Sequence, residues 1–356
     1  MMLICVISLS AFMDTVFKFD QPSFECLTGN ARYNSICPDN QYNKCREIIF
    51  DRTRWSANLV TDLTLICDRS WLISLPSYGW FVGMFLTTFT LQFPDYFGRA
   101  KVVFWSQGLL TMTLFLGAAS KSIYITTFLR LLQGFSVLQV YNAMYTYYIE
   151  ALPTKKRAQF GVLPDAVNAL SVGVYASVGY IFRHWQAQSY ALGTLNLIVL
   201  VFVFFLPESK LWIEIQQKTA KKESTYKRIK NGIESNIEQF RMIYRSPNIF
   251  RICLTLMPLW LAGPISWMVI NFAVDQLFGD IFINVIVLGL ADMAANTLLV
   301  LFGKFFRRQI ITSISFGGLS LCFIVCFGLR LYETELTQKL DVAFMMLANF
   351  FASGKS

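Results

Sequence analysis

Apolar residues run along this chain in blocks of about 20, the length that carries an α-helix across a roughly 30 Å hydrocarbon core. The blocks predict helices at 2–17, 71–92, 102–120, 123–148, 159–182, 188–206, 249–271, 281–303, 309–329 and, as a fragment, 341–352. The first block is short, has no basic leading region and no small-residue cleavage site after it. It reads as a shortened first span in preference to a signal peptide. The pattern predicts an all-α membrane protein with an N-terminal membrane half, 1–206, that contains the long loop 18–70. A basic loop, 207–248, and an incomplete second membrane half, 249–356, follow. The last block breaks off inside a span, and a helix end in hydrocarbon leaves backbone groups unsatisfied. The sequence therefore reads as a fragment lacking about two spans of a second six-helix set.

Composition agrees with this pattern. Apolar residues make up 55% and charged residues 15% of the chain, whereas a soluble domain carries about 25% charged residues. The net charge of +9 sits in the turns between blocks and not in one stripe, so lipid is an expected partner and nucleic acid is not. The abundant phenylalanine, 33 residues, suits lipid-facing helix surfaces. The loops after spans two, four, six and eight hold 18 Lys and Arg, while the short loops after spans three, five, seven and nine hold four. By the positive-inside rule the first set is cytoplasmic. Segment 18–70 is then outside, where Cys26, Cys37, Cys45 and Cys67 can form two disulfides with three pairings open. Cys5, Cys253, Cys322 and Cys326 lie within apolar blocks and read as packing residues.

Two turns carry the first functional signal. Asp95-Tyr96-Phe97-Gly98-Arg99-Ala100-Lys101 falls between spans two and three, and Glu150-Ala151-Leu152-Pro153-Thr154-Lys155-Lys156-Arg157 ends span four. Gly98 permits a tight turn, and Asp95 can accept charge-assisted hydrogen bonds from an arginine or a helix end. Either run alone reads equally well as a polar turn with positive-inside charges. Together, in these loops, they resemble the signature turns of the major facilitator superfamily. A third run, Leu206-Pro207-Glu208-Ser209-Lys210-Leu211-Trp212-Ile213, is similar to the one that closes the first half of sugar porters and organic ion transporters. Here Lys210 and Leu211 replace the usual proline and arginine. The resemblance implies a major facilitator fold with six N-terminal helices and about four of the second half. Asp95, Gly98, Arg99, Glu150, Arg157 and Glu208 would be gating residues, with Arg307 and Arg308 in a second signature copy, 303–308, that lacks its acid and internal glycine.

The long outer loop narrows the family. Phe50-Asp51, and the run from Leu59-Val60-Thr61-Asp62 through Cys67-Asp68-Arg69-Ser70-Trp71-Leu72, resemble the organic cation/anion/zwitterion transporters of solute carrier family 22. So do Arg183-His184-Trp185, Ser246-Pro247-Asn248 and, in span eight, Gly289-Leu290-Ala291-Asp292, where the family usually has glutamate. That resemblance implies a plasma-membrane carrier of small organic ions that works by alternating access. Four cysteines are fewer than the six usual there, and no Asn-x-Ser/Thr acceptor lies within 18–70.

Ionisable groups inside a membrane are expensive and mark functional sites by default. Arg130, Asp165 and Asp292 are the three singled out. Asp292 is the candidate contact for a cationic substrate or a proton, against a structural hydrogen-bonding role. Arg130 reads as structural, and at 1.5 Å rise per residue it lies on the order of 15 Å in depth from Asp165. Trp267, Tyr141, Tyr145 and Asn271 are candidates for the central path, because aromatic faces attract organic cations; packing is the competing reading. His184 reads as a solvated loop residue. Basic loop 210–245 spaces Ile229, Ile233, Ile237 and Phe240 helically and predicts short helices drawn to anionic lipid. No metal-ligand spacing, phosphate loop or nucleophile triad stands out, so neither an enzyme nor a cofactor is expected. A homo-oligomer is left open. The alternatives to organic-ion transport are a truncated, non-transporting membrane protein and a sugar-porter-like carrier, the latter disfavoured by the long outer loop.

Overall fold

The computed structural model describes residues 7–353 apart from 12–16, 29–30, 36, 38–42, 44, 54–55, 162, 220–244, 273–280, 303–307 and 332–333. A three-stranded sheet comes first: β1 (Phe24–Thr28), β2 (Ala31–Asn34) and β3 (Glu47–Phe50), antiparallel in the order β2-β1-β3. Next come α1 (Leu59–Asp62) and a 3-10 turn (Cys67–Ser74) that runs into α2 (Leu75–Thr87). The helices α3 (Phe93–Phe97), α4 (Arg99–Ala118), α5 (Ile123–Ala151), α6 (Thr154–Phe160), α7 (Leu163–Ile181), α8 (Trp185–Phe204) and α9 (Lys210–Thr219) follow. The chain then forms α10 (Pro247–Phe272), α11 (Ile281–Phe302), α12 (Arg308–Arg330) and α13 (Glu335–Ser353).

From the second apolar block onward, every predicted span is helical. Among the described residues, six segments are long and apolar enough to cross a membrane. Most of the first block lies outside the described residues, although 7–10 are helical. The second span begins earlier than its hydropathy suggests. Cys67, with a positive φ of 54°, turns the chain into the 3-10 segment. The basic turn after span four is itself helical, as α6, and α9 opens the basic loop whose isoleucine-spaced part, 220–244, is outside the described residues.

Two compact units interleave along the sequence. One comprises 1–91, 102–144 and 171–206; the other comprises 92–101, 145–170 and 207–356. Within the first, Val102, Val103, Val140, Ala143, Met144, Val199 and Val203 from α4, α5 and α8 pack into one apolar core. Helices α2 and α5 approach to backbone contact: a Cβ on Gly83 would collide with the Leu131 carbonyl oxygen. Thr87 Oγ1 also donates to the Phe135 carbonyl at 3.1 Å. A second core joins Leu59, Val60, Leu65, Leu72, Ile73, Ile123 and Trp185. Of the three pairings open for the loop cysteines, the structure has Cys26–Cys45 and Cys37–Cys67. In the second unit, α13 packs against α12, α11 and α10.

Candidate functional site

The signature turn is built by a proline and a glycine. Pro94 lies in the first turn of α3, where a missing N–H costs nothing, and Gly98, at φ 107°, ends it in a conformation that L side chains rarely adopt. Arg99 is thereby the first residue of α4 and is buried, at 5% exposure. Its Nη2 donates to Asp95 Oδ1 and to Glu150 Oε1, each at 2.7 Å, and its Nη1 donates to the Pro94 carbonyl at 3.1 Å. Glu208 caps the same helix, with its Oε1 accepting from the Ala100 backbone N–H at 3.0 Å, where the helix dipole favours an anion. Ser209 donates to Glu150 Oε2, and Trp212 Nε1 donates to the Asp95 carbonyl at 2.9 Å. Three runs far apart in sequence thus meet around one arginine.

Asp95, Gly98, Arg99, Glu150 and Glu208 are brought together, all within the second unit. Arg157 is not part of this cluster; its Nε donates to the Leu152 carbonyl at 3.1 Å and so holds the chain leaving α5. Arg307 lies outside the described residues, as does the side chain of Arg308, which opens α12. Ser209 and Trp212 were missed by sequence reasoning, although both lie in the run that named Glu208.

A second network surrounds Asp292 on α11, 4% exposed. Trp267 Nε1, from α10, donates to its Oδ2 at 2.9 Å, while Asn349 Nδ2, from α13, donates to Oδ1 at 2.7 Å and Ser353 Oγ donates to the same oxygen. Asn271, one turn beyond Trp267, donates to the Trp267 carbonyl at 2.8 Å. Asp292, Trp267 and Asn271 therefore form one connected set. Tyr141 belongs to the first unit and Tyr145, 37% exposed, to the second.

Arg130, 2% exposed, stacks on Trp80 at 4.6 Å and donates to the Ala11 carbonyl at 3.1 Å and to Gln133 Oε1 at 3.2 Å. His184 is more than a solvated loop residue: its Nδ1 accepts from the Gln186 backbone N–H at 3.3 Å and caps α8. Next to it, Trp185 Nε1 donates to Asp62 Oδ2 at 2.7 Å, tying the end of the 18–70 loop to that helix.

The sequence pattern of the Major Facilitator Superfamily matches residues 62–354, which include both clusters. The chain belongs to this superfamily. As a major facilitator protein it is a multi-pass membrane protein of a transporter family, and its curated relatives are transporters. It is 26% identical over 325 residues to mouse organic cation/carnitine transporter 2, covering 85% of this chain and 57% of that protein. It is 25% identical over 292 residues to mouse solute carrier family 22 member 4, covering 76% of this chain and 53% of that protein. To the β-alanine transporter of Drosophila melanogaster it is 25% identical over 302 residues, 76% of this chain and 50% of that protein. The chain spans just over half the length of the first two. The partially occluded, inward-open xylose transporter XylE from E. coli has the same fold, with a TM-score of 0.61 at 13% identity, over 99% of this chain and 84% of that one. The nucleoside transporter NupG gives 0.57 at 12% identity, over 99% and 78%.

Proposed function

We propose that this major facilitator chain belongs to a plasma-membrane carrier of small organic ions that works by alternating access. The observation that carries the reading is buried Arg99, held at once by Asp95 and Glu150. Charge-assisted bonds between separate segments stabilise one arrangement of a two-state machine and must break in the other. The cluster is read as a latch on the cytoplasmic side, with the disulfide-bonded sheet facing outward. A positively charged nitrogen in the substrate is suggested by relatives whose names specify organic cations, carnitine and β-alanine, the last two of which also carry a carboxylate. Asp292, Trp267 and Asn271 are proposed to serve that charge in the second unit, and Tyr141, within the first unit, and Tyr145, within the second, are proposed as aromatic faces that attract organic cations.

The test is uptake of labelled tetraethylammonium, carnitine, β-alanine and an organic anion by cells expressing the full-length gene, with Arg99→Gln and Asp292→Asn alongside. The expected result is saturable uptake of at least one ammonium-bearing compound and its loss in both variants at equal surface expression. Absence of uptake for every compound overturns the reading.

A further inference from the structure

Helix α9 is amphipathic, and protein covers its apolar side only in part. Trp212 centres that side: its Nε1 donates to the Asp95 carbonyl at 2.9 Å, and its ring lies 3.5 Å from where a Cβ on Gly98 would stand. Leu211 and Ile215, one turn apart beside it, are 40% and 48% exposed, and Ile213 on the other flank is exposed as well. The turn on which Trp212 packs presents a second apolar pair, Phe93 and Phe97, both exposed and set edge to face at 5.7 Å. All of these residues belong to the second unit. Only residues 205–209 separate α9 from the end of α8, a candidate span. That tether reaches at most about 20 Å, so the helix starts at the membrane surface, where exposed apolar side chains meet lipid in place of water.

Charge narrows the kind of lipid. The bond from the Ala100 N–H to Glu208 Oε1, at 3.0 Å, joins two chain segments that each carry an exposed lysine close by: Lys101, the next residue, and Lys210, two residues on. The acids of this turn are engaged, Asp95 and Glu150 by Arg99 and Glu208, through Oε1, by the start of α4. Glu214 is the exposed acid on α9. In the sequence, the run from Lys210 to Lys230 holds seven Lys and Arg against two acids, Glu214 and Glu223. Basic clusters on an amphipathic helix at the end of a span are complementary to anionic phospholipid.

We infer that α9 and the turn 93–101 form a docking surface for anionic phospholipid, and that lipid bound there stabilises the cluster around Arg99. Leu211, Ile215, Phe93 and Phe97 reach the acyl boundary, while Lys101 and Lys210 take the headgroup phosphates. The coupling is short. Ser209, which donates to Glu150, directly precedes α9, and Trp212, which donates to the Asp95 carbonyl, lies in its first turn. A membrane that holds α9 in place therefore holds both contacts, and its anionic lipid favours the arrangement that has them by differential affinity. The consequence for transport rests on the reading of the Arg99 cluster as a latch; the lipid surface itself does not.

The experiment is hydrogen exchange of the purified full chain, read by mass spectrometry, in nanodiscs of phosphatidylcholine with or without phosphatidylserine. The expected result is about tenfold slower exchange over α9 and the turn 93–101 when phosphatidylserine is present. The Lys101→Gln, Lys210→Gln double variant should show about half that ratio or less. Equal exchange in the two lipids overturns the inference, as does an undiminished ratio in the double variant. Slowing by glycerophosphoserine or inorganic phosphate in phosphatidylcholine discs overturns it too, because the ligand is then a free anion. Should the double variant fail to fold, salt decides: wild-type protection that persists undiminished in molar sodium chloride overturns the inference, since exposed charges are screened there. Slower exchange without uptake leaves this inference standing and removes only the transport reading; uptake with exchange that ignores lipid composition does the reverse.

Discussion

At the scale of single residues, Arg99 has the most to lose. Its guanidinium serves Asp95, Glu150 and the Pro94 carbonyl at once. The Glu150 side chain, 11% exposed, would lose its cation in Arg99→Gln. Removing one partner of a largely buried pair costs about 3 kcal/mol. Thermal unfolding of the purified protein should show that loss, with Arg99→Lys intermediate because a point charge cannot reproduce the fork. Trp267→Phe keeps an aromatic ring, though a smaller one, and removes a donor from Asp292. It is expected to cost about 1 kcal/mol of stability, and Trp267→Tyr should do no better, since its hydroxyl projects differently. Asp95, Arg99 and Glu150 were legible because each lies in a short run whose residues and spacing resemble a signature turn, although the Arg99–Glu150 contact itself spans 51 residues. Ser209 and Trp212 were not, since their partners are 59 and 117 residues away.

At the scale of elements, hydropathy located the helices because a span must satisfy its backbone internally and cover itself in apolar side chains. It is silent on how closely two helices approach. Gly83 on α2 faces the Leu131 carbonyl of α5 so closely that even a Cβ does not fit. Gly83→Leu should therefore destabilise the protein by about 2 kcal/mol or more, whereas Gly173→Leu, on α7 with open space beside it, should change little. Unfolding midpoints of the two variants compare them directly. Cysteine pairing was equally out of reach, because four thiols in one loop allow three connectivities. The sheet decides among them by seating Cys26 on β1 near the chain that carries Cys45. Losing the Cys37–Cys67 bridge in a Cys37→Ser, Cys67→Ser double variant is expected to cost about 3 kcal/mol. Reductant should then shift the unfolding of this variant less than that of the wild type.

At the scale of the whole molecule, orientation is a matter of charge bookkeeping, and the prediction is direct. On intact cells a membrane-impermeant thiol reagent should label Glu47→Cys, exposed on β3, and should spare Lys101→Cys until the membrane is opened. The opposite pattern would reverse the assignment of inside and outside. By itself the sequence determined that the chain threads lipid repeatedly, roughly where each span lies and which turns carry the signature acids and bases. Those properties follow from transfer energies and short-range spacing, which are written locally. Only the tertiary structure decided that Glu208 caps α4, that Cys26 takes Cys45, and that Asp292 is ringed by Trp267, Asn349 and Ser353. Each depends on side chains from separate helices or strands converging, and no local pattern records which faces meet.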